Sequence, residues 1–266
     1  MALKSNGLVI AHLNIRGIVN KMDELKLHIS QLNIKILHLS ETFLSPATDS
    51  KVLNIPGYNL LRKDRVNRQG GGVLTYLHSS LNYTLINELD DPRLESLSIK
   101  ISQPHATPFI TTVIYRPPSS PAAWSDHFST QVTNSKQICD EVIICGDFNI
   151  NMTIPPKKWL TTLAELDLLQ LINQPTRVQQ NSKSLLDHIY TTKASNIMTS
   201  ATKDIGLSDH SIVFAIRKLG SKNLDANNRK KLHTLTGGNF PQKHSKTHYK
   251  TQTGIISIYA EMLTLC

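Results

Sequence analysis

Short apolar runs, each ended by a polar residue, constrain this chain more than any other feature. Residues 8–13 (Leu-Val-Ile-Ala-His-Leu) run into Asn14, 34–39 (Ile-Lys-Ile-Leu-His-Leu) into Ser40-Glu41, and Val142–Cys145 into Gly146-Asp147-Phe148-Asn149. Runs of this length read as buried strands, and none approaches the roughly 20 apolar residues that span a bilayer. Between the first two, Leu25, Ile29 and Leu32 recur at helical spacing, which makes a strand–helix–strand unit. A β-rich passage follows: 73–77 after Gly70-Gly71-Gly72, 81–86, and 95–101 with Leu97, Ile99 and Ile101 on one face, expected to be antiparallel neighbours.

Residues 109–115 form a further strand stopped by Pro117-Pro118. Trp124, Phe128 and Val132 then step along a helix opened by Ser120-Pro121. After Val142–Cys145, Trp159, Leu163, Leu166 and Leu169 line another helix, and 185–191 and 212–216 complete the strands. Strands outnumber helices without strict alternation. That argues against a doubly wound nucleotide fold and for a layered α/β sandwich, with sheets packed on each other and helices outside.

The formal net charge of +9 is unevenly placed: residues 1–216 hold 20 basic and 18 acidic side chains, net +2, whereas 217–266 hold nine and two, net +7. From 218 onward the periodicity is lost among polar and basic residues, Gly237-Gly238 and Pro241, so the expected division is a folded domain at 1–217 and a basic disordered tail or linker at 218–266. Ile255–Leu265 is apolar enough for a short helix, with no evident partner. Cys139, Cys145 and Cys266 have neither metal-ligand nor disulfide-framework spacing, and Met1 leads almost directly into a strand-like segment instead of a signal core. The expectation is an intracellular protein that does not span a membrane. Arg62, Lys63, Arg65 and Arg68 form the one basic cluster of the folded part, either a solvated loop or a contact to a phosphate backbone.

The polar residues at the strand ends carry the chemistry. Asn14, Glu41, Asp147, Asn149, Asp187, Asp209 and His210 all lie at or beside strand termini, where consecutive strands of packed sheets converge on one rim. Four carboxylates meeting there, beside two amides and one imidazole, repel one another unless a cation is present. A hard divalent ion on oxygen ligands relieves that repulsion.

Six ordered motifs then match a known family: Leu13-Asn14-Ile15-Arg16-Gly17, Leu39-Ser40-Glu41-Thr42, Ile114-Tyr115-Arg116-Pro117-Pro118, Cys145-Gly146-Asp147-Phe148-Asn149, Leu185-Leu186-Asp187-His188-Ile189 and Leu207-Ser208-Asp209-His210. Over residues 7–217 the chain resembles the endonuclease/exonuclease/phosphatase superfamily, in wording nearest the apurinic-type endonuclease domain of non-LTR (LINE-like) retrotransposons. The resemblance implies a four-layer α/β sandwich with two central mixed or antiparallel sheets, and phosphodiester hydrolysis with Mg²⁺ or Mn²⁺. It implies metal-side roles for Asn14, Glu41 and Asp209, with Glu41 the most direct ligand. Asp147 then resembles the residue that activates water, Asn149 the one that holds its carboxylate and the phosphate, and Tyr115 a phosphate-contacting phenol. His210 resembles the residue at the scissile phosphate, with Asp187 fixing its tautomer and raising its pKa. Asp147 and His210 are expected to point into a solvated site.

Arg16 departs from the pattern, standing where DNA-repair relatives carry an acidic residue, which weakens an abasic-site repair reading more than a nicking one. His12, His28, His38 and His188 read as packing or surface residues, and Arg116 and Arg177 as further side chains that would approach DNA. The expected activity is target-site nicking of DNA by a monomer without a tightly bound organic cofactor, with access to the nucleus. The alternatives are a phosphatase or phospholipid phosphodiesterase of the same superfamily, or an idle fragment of an element.

Overall fold

Alternation along the first strand decides the layering. In β1 (Leu8–Asn14), Val9, Ala11 and Leu13 face one apolar layer, whereas Leu8 and Ile10 face another, and His12 and Asn14 follow the latter pair at the strand period of two. The computed structural model describes residues 7–66, 70–180 and 182–219. After β1 come α1 (Met22–Gln31), β2 (Ile36–Ser40), β3 (Tyr58–Lys63), β4 (Val73–His78), β5 (Tyr83–Leu85), β6 (Glu95–Ile101) and β7 (Phe109–Tyr115). Then follow α2 (Trp124–Ile138), β8 (Val142–Asp147), α3 (Lys157–Glu165), β9 (Leu169–Gln170), β10 (Arg177–Gln179), β11 (Ser182–Ser184), β12 (Asp187–Thr191), β13 (Ile197–Lys203) and β14 (Ile212–Arg217).

Two six-stranded sheets form, in the orders β13-β14-β1-β2-β4-β3 and β5-β6-β7-β8-β12-β9, beside the small hairpin β10-β11. Each sheet has one parallel pair at its centre, β1–β2 and β7–β8, and antiparallel pairs on both sides. A parallel pair needs a crossover connection, and α1 and α2 supply the two.

Three apolar layers hold this together. Leu25 and Ile29 of α1 pack on Leu13, Leu39 and Phe214; Ile10, Val113, Cys145 and Ile189 meet between the sheets; and Phe128 of α2 and Trp159 of α3 cover Ile114, Ile144 and Tyr190. The helix–sheet–sheet–helix order is therefore the four-layer α/β sandwich expected from the sequence.

Several boundaries differ from the sequence reading. The strand at 73–77 belongs to the first sheet, between β2 and β3, whereas 83–85 and 95–101 pair in the second, because the turn at His78–Leu81 carries the chain from one sheet to the other. Leu169 lies in β9 instead of on the helix: α3 ends at Glu165, and Asp167 at φ 55° turns the chain away. Strands β3 and β13 have no counterpart in that reading. The basic tail beyond residue 219, Ile255–Leu265, Arg68 and Cys266 lie outside the described residues.

Candidate active site

In a parallel pair both strands end at the same edge, so the two central pairs bring four strand ends to one rim. Asn14 ends β1, Glu41 follows β2, Tyr115 ends β7 and Asp147 ends β8; the register sets Asn14 beside Ser40, and Tyr115 and Asp187 on either side of Asp147. Hydrogen bonds then join the sheets across the rim. Asn14 Nδ2 donates to Asp147 Oδ2 (2.8 Å) and to Glu41 Oε1 (3.1 Å), and the Tyr115 hydroxyl donates to Glu41 Oε1 (2.9 Å).

The turn after β8 is built to aim Asp147. Phe148 drops into the outer core, stacked on His188 with centroids 4.9 Å apart, while Asn149 at φ 49° turns back. Its backbone N–H donates to Asp147 Oδ1 (2.9 Å) and its Nδ2 to the Arg116 carbonyl (2.9 Å). Gly146 lies so close to β7 that an added Cβ would fall 1.9 Å from the Ile114 carbonyl oxygen.

His210 Nδ1 lies 2.7 Å from Asp187 Oδ2. Thr176 Oγ1 accepts the Leu186 and Asp187 N–H groups at 3.0 Å each, and the Ser208 hydroxyl donates to the Asn14 carbonyl (2.6 Å), tying the His210 loop to β1.

Asp147, Asp187 and His210 are nearly inaccessible, at 1%, 0% and 4% exposure, a correction to the expectation that Asp147 and His210 point into solvent. Asp147 and Asp187 follow the inter-sheet face of β8 and β12, and His210, in the loop before β14, is held against Asp187, so the three sit at the floor of the rim. Burial, then the Asp187 carboxylate, push the Asp147 carboxyl up from an ordinary 3.8 to about 7, only partly offset by His210 and by the N–H groups of Asn149 and Asn14. Burial opposes charge on His210 too, but Asp187 outweighs it and holds the imidazolium above its ordinary range; the same attraction keeps Asp187 below its own. For Tyr115, burial and then Glu41 raise the phenol and keep it protonated.

Because the folded pKa of Asp147 exceeds its unfolded value, ionising this group costs stability, which falls as pH rises from the ordinary carboxylate range toward 7. Asp147→Asn is therefore expected to stabilise the metal-free protein on the order of 2 kcal/mol at pH 8, and far less at pH 5. Thermal unfolding with EDTA at the two pH values checks this; an equal difference at both contradicts it.

Two oxygens fit a hard cation. Among the described residues, Asn14 Oδ1 is buried without a hydrogen-bond partner, and Glu41 Oε2 is approached by Arg16 Nε at 4.0 Å, the Asn14 and Tyr115 donors to this carboxylate having gone to Oε1. Asp147, Asp187 and His210 form a second grouping, their ligand atoms within 4.8 Å of one another. That grouping includes an imidazole, a donor that suits Mg²⁺ less than oxygen does.

The remaining expected residues are placed differently. Asp209 takes Arg16 Nη1 at 3.0 Å and Arg177 Nε at 2.8 Å. Arg62 pairs with Asp64 (2.9 Å), Lys63 with Asp90, and Arg65 with Glu95 (2.6 Å), so the three described members of the basic cluster are each paired with an acid. Arg65 also lies over the Tyr115 ring at 5.5 Å, a support the sequence hides because the partners are 50 residues apart. The Arg116 guanidinium lies 5.5 Å from the Trp124 ring. His38 is a satisfied core residue between Thr75 and Thr111, whereas His12, read as packing, brings Nδ1 within 3.6 Å of Asp187 Oδ1.

The model of the Endonuclease/Exonuclease/phosphatase family matches residues 11–210, three quarters of the chain. The chain belongs to this family. Solved family folds superpose on it: the endonuclease domain of TRAS1, a telomere-specific non-LTR retrotransposon, has 16% identity over 80% of this chain and 99% of its own, at a TM-score of 0.66. An AP endonuclease, LMAP from Leishmania major, has 13% identity over 79% and 87%, at 0.67. The 3′ phosphatase NExo from Neisseria, bound to product DNA hairpin, has 15% over 79% and 99%, at 0.61. No curated protein matches the sequence. Among the described residues of this endonuclease/exonuclease/phosphatase family member, no helix is long and apolar enough to cross a membrane.

Proposed function

We propose that the chain is a divalent-metal-dependent endonuclease that hydrolyses a phosphodiester of DNA, and that its cut supplies the 3′-hydroxyl used by a non-LTR retrotransposon. The observation that carries this reading is the convergence, on one rim, of a carboxyl (Asp147), an imidazole held by a carboxylate (His210 on Asp187) and an oxygen pair open to a cation (Glu41 with Asn14).

Asp147, oriented by Asn14 and Asn149, takes a proton from the attacking water; a pKa near 7 lets it do so at neutral pH. His210, whose protonated form Asp187 favours, would face the phosphate oxygens and stabilise the charge they gain. Tyr115, whose hydroxyl donates to Glu41 and whose ring lies under Arg65, would reach the same phosphate by turning that one hydrogen from Glu41 to a phosphate oxygen. Mg²⁺ or Mn²⁺ held at Glu41 and Asn14 would neutralise a phosphate oxygen and the leaving oxyanion.

A phosphomonoesterase would use the same groups, and two duplex oligonucleotides distinguish it: one with only internal phosphodiesters, one carrying a terminal 3′-phosphate. The endonuclease reading expects internal scission of the first; release of inorganic phosphate from the second without internal scission contradicts it. Acting on chromosomal DNA, such an enzyme works in the nucleus.

The tail adds a further expectation. Residues 217–266 carry +7 against +2 for the rest, so deleting 218–266 is expected to weaken DNA binding and flatten its salt dependence while leaving the positions of cleavage unchanged. Gel shifts across a salt series and mapping of the cut sites check this; a shifted cleavage pattern contradicts it.

A further inference from the structure

Asp209 is engaged in a way that the metal reading does not use. Arg16 Nη1 lies 3.2 and 3.0 Å from its two carboxylate oxygens, and Arg177 Nε lies 2.8 Å from Oδ2, so both oxygens already accept guanidinium hydrogens. The other end of the Arg16 head faces the second acid, Nε standing 4.0 Å from Glu41 Oε2. This placement is built into the backbone. Arg16 adopts φ 48° and Gly17 φ 87°; the Gly17 N–H donates to the Glu41 carbonyl (2.8 Å), and Lys21 Nζ donates to the carbonyls of Ile15 (2.6 Å) and Arg16 (3.2 Å). A left-handed, non-glycine residue held by three such bonds is a conformation the surroundings impose.

We propose that the Arg16 guanidinium stands in for a second cation: the rim holds a single divalent ion, on the Glu41 side, and Asp209 serves as the counter-ion of Arg16 and Arg177 instead of a metal ligand. The inference rests on the metal-dependent reading above. A fixed guanidinium between Glu41 and Asp209 repels a second ion from the space between them, and a carboxylate whose two oxygens both already accept guanidinium hydrogens binds a further cation less readily. It satisfies the same electrostatic need, since the acids of the rim are neutralised without another ion. The Arg16 side chain remains 45% exposed, so its unbonded N–H groups are open to a phosphate oxygen approaching the rim.

Mn²⁺ titration of the full chain, followed by the electron paramagnetic signal of the free ion and by calorimetry, tests this. One ion is expected to bind the wild type. Glu41→Gln is expected to lower that affinity about 10- to 100-fold, and Asp209→Asn to change it by less than about twofold. Arg16→Asp, which replaces the guanidinium by a third carboxylate, is expected to gain a second ion. Two ions on the wild type, a loss in Asp209→Asn equal to that in Glu41→Gln, or a folded Arg16→Asp that still takes one ion would each overturn the proposal. Where Arg16→Asp does not fold, the Asp209→Asn comparison decides alone. A wild type that binds no Mn²⁺ would overturn the metal-dependent reading itself, which separates that failure from the loss of this inference alone.

Discussion

Asp147→Ala is expected to lower DNA cleavage by about 10² to 10³-fold, and a variant at His210 by a similar factor, with the circular dichroism of the native chain retained. The fold survives the first change because Asp147 is a buried carboxyl in an unfavourable setting: removing it deletes the repulsion with Asp187, and β8 keeps its pairing with β7 and β12. His210 differs. Alanine there leaves Asp187 buried and ionised without its imidazole, and an uncompensated buried charge costs about 3–5 kcal/mol. His210→Gln retains a donor toward Asp187 Oδ2 and is the companion that separates lost catalysis from lost stability. Near-normal cleavage by purified Asp147→Ala or His210→Gln contradicts the assigned roles.

The largest structural effect is expected at a residue that does no chemistry. Gly146 sits between Ile114 of β7 and His188 of β12, and a methyl group there would meet Ile114 backbone atoms at 1.9 and 2.9 Å. A flexible side chain can move from such a clash; a strand in the middle of a sheet cannot without shifting its neighbours. Overpacking usually costs 1–3 kcal/mol, and a backbone collision lies at or above the top of that range, so Gly146→Ala is expected to lose at least about 3 kcal/mol. At 2–4 °C per kcal/mol for a domain of this size, the melting temperature should fall by roughly 10 °C. A fall of less than about 2 °C by scanning calorimetry would mean that the β7–β8 spacing is wrong.

What the sequence discloses and what it conceals have separate physical origins. Asn14, Asp147 and Asp187 are legible because a polar side chain that continues the inter-sheet face of a buried strand breaks the apolar pattern, and Glu41 and His210 because they stand just outside the ends of the apolar strands β2 and β14. The central strands are legible for the complementary reason: they are apolar on both faces. Strands β3 and β13 are half-buried edges of mixed composition, Tyr-Asn-Leu-Leu-Arg-Lys and Ile-Met-Thr-Ser-Ala-Thr-Lys, with no clean alternation to mark them. The ion pairs that occupy Arg65 and Arg16 join residues 30 and 193 positions apart, which composition alone does not reveal. For that reason Arg62, Lys63 and Arg65 read as a DNA-facing cluster, whereas the fold turns them onto Asp64, Asp90 and Glu95. His12 is hidden differently: among Leu8, Ile10 and Leu13 it looks like a core histidine, and only the approach of β12 sets it against Asp187.

The central claim is that this rim cuts a DNA strand with the help of a divalent ion, and nicking of supercoiled plasmid tests it most directly. With Mg²⁺ the wild-type chain is expected to convert supercoiled DNA to the open-circular form, EDTA to stop the conversion, and Asp147→Ala to show no conversion on the same time scale. Supercoiled DNA left intact by the folded wild type in Mg²⁺ or Mn²⁺, or nicking that persists equally in EDTA or in Asp147→Ala, would contradict the account.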